Sequence, residues 1–140
     1  AKMLRVHRHD ASVQDRLAQV LNAPSLYDVA IRKLAERGFD IDATKLERDF
    51  SQPYEFNESV ANAWANVYRN SETHFDLYEL GEKLVDIEDA FQNWRFKHLF
   101  TVQRVIGTRM GTGGSSGVGF LRKALDISFF PELFSIRTQL

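Results

Sequence analysis

The chain has no cysteine in its 140 residues. This excludes a disulfide framework, a thiolate metal site and the C-x-x-C-H attachment of covalent haem. It fits a reducing compartment. No apolar run approaches the roughly 18 residues of a membrane-spanning helix, and no signal peptide is visible, so no membrane partner is expected. Excess charge is also missing. With a net charge of −1 there is no global field to recruit nucleic acid. Proline is scarce, with three in the chain, and no stretch alternates as a strand should. There is no internal repeat and no low-complexity tract.

The residues present describe a helical protein. A hydrophobic content of 44% with 12% aromatics is that of a globular chain. At this length one domain with a real core is expected. Val13–Leu21 is a short amphipathic run, broken by Asn22-Ala-Pro24-Ser25. A second helix starts at Leu26, with Gly38 as its C-cap. The stretch Phe39–Asn57 reads as loop with one short helix. A third helix runs from Glu58 to about Asn70, and a fourth from about Ser71 to Ile106, joined to the third or separate. Gly81 inside the fourth costs about 1 kcal/mol against alanine without ending it. A fifth covers Ser115–Ser128, and Pro131 opens a last short helix ending near Thr138. The first residue is Ala1, not methionine, and the chain opens inside what reads as ongoing structure, so a fragment is expected.

Charge is unevenly spread. Glu72–Asp89 holds seven carboxylates against Lys83, and Arg95–Arg137 holds seven basic residues against Asp126 and Glu132. The basic region surrounds Gly107–Gly119, which contains six of the eight glycines. It reads either as a solvated, ion-paired surface or as the surroundings of an anionic ligand. The glycine run fails the standard phosphate motifs. Phe120 and Leu121 stand where a P-loop needs Lys and Ser or Thr, and Ser116 replaces the third glycine of G-x-G-x-x-G. Ser115 or Ser116 would cap the fifth helix. Thr112, between Gly111 and Gly113, has no evident structural task and is the better ligand candidate.

Leu84, Ile87, Phe91, Trp94, His98, Val102 and Val105 recur at helical spacing as one continuous apolar face. His98 sits in its middle. Two readings are open. One is a core histidine whose ring nitrogens are satisfied internally. The other is a metal ligand. One histidine with no spaced His, Cys or carboxylate cannot build a zinc site. One is enough for haem, because the porphyrin supplies the other four nitrogens, and Trp94 and Val102 would then face the macrocycle. His7, His9 and His74 stand in polar contexts and read as exposed.

F-Q-N-W-R-F-K-H (Phe91–His98), V-Q-R-V-I-G (Val102–Gly107), G-T-G-G-S-S-G-V-G-F-L (Gly111–Leu121) and F-F-P-E-L-F (Phe129–Phe134) together resemble the C-terminal half of tryptophan 2,3-dioxygenases, most like the bacterial members. L-N-A-P-S-L-Y-D (Leu21–Asp28) and L-V-D-I-E (Leu84–Glu88) match as well, so the resemblance covers nearly the whole chain.

It implies an all-α, haem-dioxygenase-like helical bundle, incomplete, with residues 1–140 as one helical region. It further implies a cytoplasmic homotetramer that binds haem b and inserts both atoms of O2 into L-tryptophan. The product is N-formyl-L-kynurenine, the first step of the kynurenine pathway. His98 would be the proximal iron ligand, with Trp94 and Val102 against the haem, and Thr112 would contact the amino-acid head group of tryptophan. The family's distal histidine, carboxylate-binding arginine and partner-subunit tyrosines belong to its N-terminal half and have no counterpart here. Activity of these residues alone is not expected. Two alternatives remain, a non-enzymatic helical haem-binding module and a helical interaction domain without haem.

Overall fold

The structure, a computed structural model, describes residues 10–107 and 117–138. Helix accounts for 72% of them, with no strand among the described residues. The elements are α1 (Ala11–Leu21), α2 (Leu26–Glu36), α3 (Ala43–Leu46), α4 (Glu58–Arg69), α5 (Phe75–Ile106), α6 (Gly117–Leu125) and α7 (Pro131–Ser135), followed by a 3-10 turn (Ile136–Thr138).

Local chemistry sets the boundaries. Asp10 caps α1, its carboxylate accepting from the Val13 N–H at 3.1 Å. Ser25 and Asp28 form a capping box at the start of α2. The Ser25 hydroxyl accepts from the Asp28 N–H at 3.2 Å, and the Asp28 carboxylate accepts from the Ser25 N–H at 2.7 Å. At the other end Gly38, at φ 87°, lets its own N–H reach Ala35 O and the Phe39 N–H reach Leu34 O. This pair of bonds closes the helix in a Schellman motif, and the left-handed φ calls for glycine. Asn57 caps α4 through Val60 N–H at 3.2 Å. The third and fourth helices do not join. A turn at Asn70, where Asn70 O accepts from Thr73 and His74 N–H, separates α4 from α5. Ser71, Thr73 and the flanking asparagine favour turns over helix interior.

α4 is the central helix, with a broad buried face formed by Val60, Ala61, Trp64, Val67 and Tyr68. Tyr27, Ile31 and Leu34 of α2, Leu77 and Leu84 of α5, and Leu133 and Ile136 at the C-terminal end pack around it. Gly81 permits the closest approach of α4 to α5. A Cβ there would meet Tyr68 Oη at 3.0 Å and Trp64 Cζ3 at 3.2 Å. Alanine would therefore trade its helical advantage for a clash. Polar ties complete the assembly. Arg37 pairs with Asp76, linking α2 to the first turn of α5. Glu82 accepts from the Tyr68 hydroxyl and from Arg137, both at 2.6 Å, joining α4, α5 and the 3-10 turn.

α5 has 32 residues, about 48 Å at 1.5 Å per residue. Its first half lies on the core and its second half runs beyond it. There α6 packs against it, burying Leu99 and Val118.

Candidate functional site

The apolar face of α5 changes character along its length. Leu84 is buried and Ile87 half-buried, but Phe91 is 47% exposed, Trp94 59% and Val105 77%. Val102 is half-buried and His98 is exposed. Among the described residues nothing buries the imidazole. The imidazole lies where the helix has outrun its core, and its ring neighbour is Trp94, stacked with centroids 5.2 Å apart and planes 3° apart. Spacing of four residues on one helix face puts the two rings one above the other. Phe91 meets Phe129 edge-on at 5.3 Å, and Ala90, Phe91 and Trp94 line an apolar hollow beside it. A contiguous aromatic strip left open to water marks a surface for a ligand or a partner.

Among the described residues no group of three or more His, Cys, Asp or Glu is placed to hold a metal ion. A bare cation held by protein side chains is thus not supported around His98. A single accessible imidazole flanked by flat apolar surface does suit a haem, which needs one axial nitrogen from the protein and apolar walls for its ring. Arg104, Arg122 and Lys123 are exposed on the same part of the molecule. Thr112, Ser115 and Ser116 lie outside the described residues. So do His7, His9 and the rest of the glycine run between residues 108 and 116. Their anchors are described: α5 ends at Ile106, capped by Gly107 at φ 65°, and α6 begins at Gly117. His74 is half-buried against Phe39, ring centroids 5.2 Å apart, and is a packing residue at the start of α5.

Sequence reasoning missed three buried carboxylates: Asp28, Glu88 and Glu132. Each has full partners. Arg48 grips Asp28 with two nitrogens, at 2.6 and 3.0 Å. Burial pushes the Asp28 carboxyl up, but the bonds from Arg48 and Ser25 outweigh it and hold it below the usual carboxylate range. Glu132 accepts from the Tyr27 and Tyr54 hydroxyls at 3.0 and 2.8 Å and from the Asn57 N–H at 2.8 Å. Burial, and then the Glu132 charge, push both phenols well above the usual tyrosine range, so both remain protonated donors. Glu88 accepts from the Phe129 and Phe130 N–H groups at 2.6 and 3.0 Å and from the Ser128 hydroxyl at 3.3 Å. The available signal was an acidic residue set among apolar ones, as in F-F-P-E-L-F.

These features define an all-α protein that presents one imidazole on an open, aromatic helix face. Comparison with known proteins gives its family. The family model for tryptophan 2,3-dioxygenase matches residues 64–140. Over all 140 residues the chain is 62% identical to the tryptophan 2,3-dioxygenase of Shewanella woodyi, covering 49% of that protein. It is 54% identical to that of Cupriavidus necator over 48% of its length, and 53% identical to that of Geobacillus thermodenitrificans over 50%. The chain belongs to the tryptophan 2,3-dioxygenase family. It spans about half the length of the curated relatives it matches.

Proposed function

We propose that the chain is the C-terminal part of a haem dioxygenase domain whose whole protein adds O2 to L-tryptophan to give N-formyl-L-kynurenine, the first step of the kynurenine pathway. The observation that carries this reading is His98, exposed and stacked on Trp94 within an aromatic face, in a chain of this family. Haem b, when bound, supplies an iron centre that activates dioxygen. His98 would hold its iron through an imidazole nitrogen. Trp94, Phe91 and Val102 provide apolar surface that excludes water around it. Thr112 binds the amino-acid head group of tryptophan through its hydroxyl. No helix of the described residues is long and apolar enough to cross a membrane, and we place the protein in the cytoplasm as a homotetramer. The 140 residues hold the proximal ligand and part of the substrate site, so they do not turn over alone.

The reaction is an addition with no leaving group, so both oxygen atoms stay in the product. Full-length protein supplied with haem, L-tryptophan and 18O2 is expected to give N-formyl-L-kynurenine heavier by two labelled atoms. A protein that binds haem but yields no labelled product is a haem-binding module instead. One with no Soret band is a helical interaction domain.

A further inference from the structure

We propose that Glu88, Gln92 and Arg95 form a clamp that positions the His98 face, by fixing how the outer half of α5 is turned relative to the core. Its importance for iron ligation rests on the function proposed above; the clamp itself does not. The three residues lie along one side of α5. Glu88 holds the Phe129 and Phe130 N–H groups and the Ser128 hydroxyl. Gln92 Nε2 donates to Glu88 Oε1 at 3.3 Å and to Ile127 O at 3.2 Å. Arg95 Nη1 donates to Ile127 O at 2.5 Å, and its guanidinium lies 4.3 Å from the centre of the Phe129 ring. Together they take up the backbone polar groups of the connector between α6 and α7.

That connector is well placed to transmit orientation. Downstream it runs into Pro131, α7 and the 3-10 turn, which the core holds through Leu133 and Ile136. Upstream it carries α6, which packs on the outer half of α5. Among the described residues, the outer half is therefore tied to the core by α5 itself and by this gripped connector. Glu88 is 1% exposed, so without its carboxylate the buried Phe130 N–H has no partner and the connector loses its seat. His98 lies ten residues after Glu88, about 80° round the helix at 100° per residue. Any rotation or bend released at Glu88 swings the imidazole with it. Glu88 is thus a positioning residue, acting on His98 through the helix they share.

Spin-label distances in the full-length protein test this directly. These 140 residues contain no cysteine; with any cysteine in the rest of the full-length protein replaced by serine, and labelled subunits diluted with unlabelled ones, labels at Asn62→Cys on α4 and Lys97→Cys on α5, both exposed, report the core and the outer half. The parent is expected to give one narrow distance distribution. Glu88→Ala should broaden or shift it, and Glu88→Gln should restore it, because the amide oxygen still accepts from the connector. Leu84→Ala loosens the core without touching the connector and should leave it narrow. In haem-loaded protein the iron–histidine stretching band should shift in Glu88→Ala but not in Leu84→Ala. If Glu88→Ala does not fold, Gln92→Ala with Arg95→Met serves in its place, with a smaller broadening. An unchanged distribution in these variants, or equal broadening in Leu84→Ala, overturns the clamp. His98→Ala separates the two ideas. If it keeps a normal Soret band His98 is not the haem ligand, and the distances still decide the clamp.

Discussion

Glu132 offers the sharpest test of how the core holds together. Its side chain is fully buried and accepts three hydrogen bonds, from Tyr27, Tyr54 and the Asn57 N–H. Glu132→Ala removes all three. The Tyr27 hydroxyl is itself buried and is left without this partner, at about 1–3 kcal/mol. Tyr54 and Asn57 are half-buried and regain water, so each loses about 1 kcal/mol. Relief of the desolvated charge offsets part of this, and the vacated volume adds to it. The sum is a loss of about 3–4 kcal/mol. Glu132→Gln keeps the shape and one acceptor oxygen, and the Tyr27 hydroxyl can turn to accept from the amide. Its loss should be about 1–2 kcal/mol. Urea denaturation followed by far-UV circular dichroism reads both. In a Tyr27→Phe background the Glu132→Ala penalty should shrink by about 1 kcal/mol or more. A penalty for Glu132→Ala below about 1 kcal/mol, or no coupling to Tyr27, would refute the reasoning.

Two further predictions follow from the polar groups. The Asp28 carboxyl is held below its ordinary range when folded, so its contribution is present above the unfolded value of about 3.9 and is lost as pH falls below it. Asp28→Asn should lower stability near neutrality and flatten the acid limb of a urea-midpoint profile between about pH 5 and 3. An unchanged limb would show that the Asp28–Arg48 pair does not contribute. On the function proposed above, Thr112→Ala in the full-length protein should weaken use of L-tryptophan by about 1–2 kcal/mol in kcat/KM, the scale of a hydrogen bond to a charged group, and leave haem affinity unchanged. Indolepropionic acid lacks the ammonium, and an equal penalty on both compounds would exclude contact with that group.

The helices were legible because their signals are local. The break at Pro24-Ser25, the apolar spacing from Leu26 and Gly38 define α2 within a few residues, and the unbroken stripe defines α5. Burial along α5 was not legible. Leu84 and His98 share one face, yet one faces α4 and the other faces solvent, because the helix is longer than the core it packs on. Periodicity reports a face and says nothing of what lies opposite. The same limit hid Asp28, Glu88 and Glu132. Their distant partners, from Arg48 on Asp28 to Tyr27 on Glu132, lie 20 to 105 residues away in sequence, and a buried carboxylate is recognisable only once those donors are in place. Thr112 rests on the family resemblance, since it lies outside the described residues.

The central claim is that His98 is the haem ligand, and the electronic spectrum of one variant tests it most directly. His98→Ala in the full-length protein should lose the Soret band and the ferrous–CO spectrum of the parent. Its far-UV circular dichroism should stay unchanged, because alanine holds the helix at least as well. A His98→Ala protein that retains a normal Soret band and CO spectrum would contradict the account.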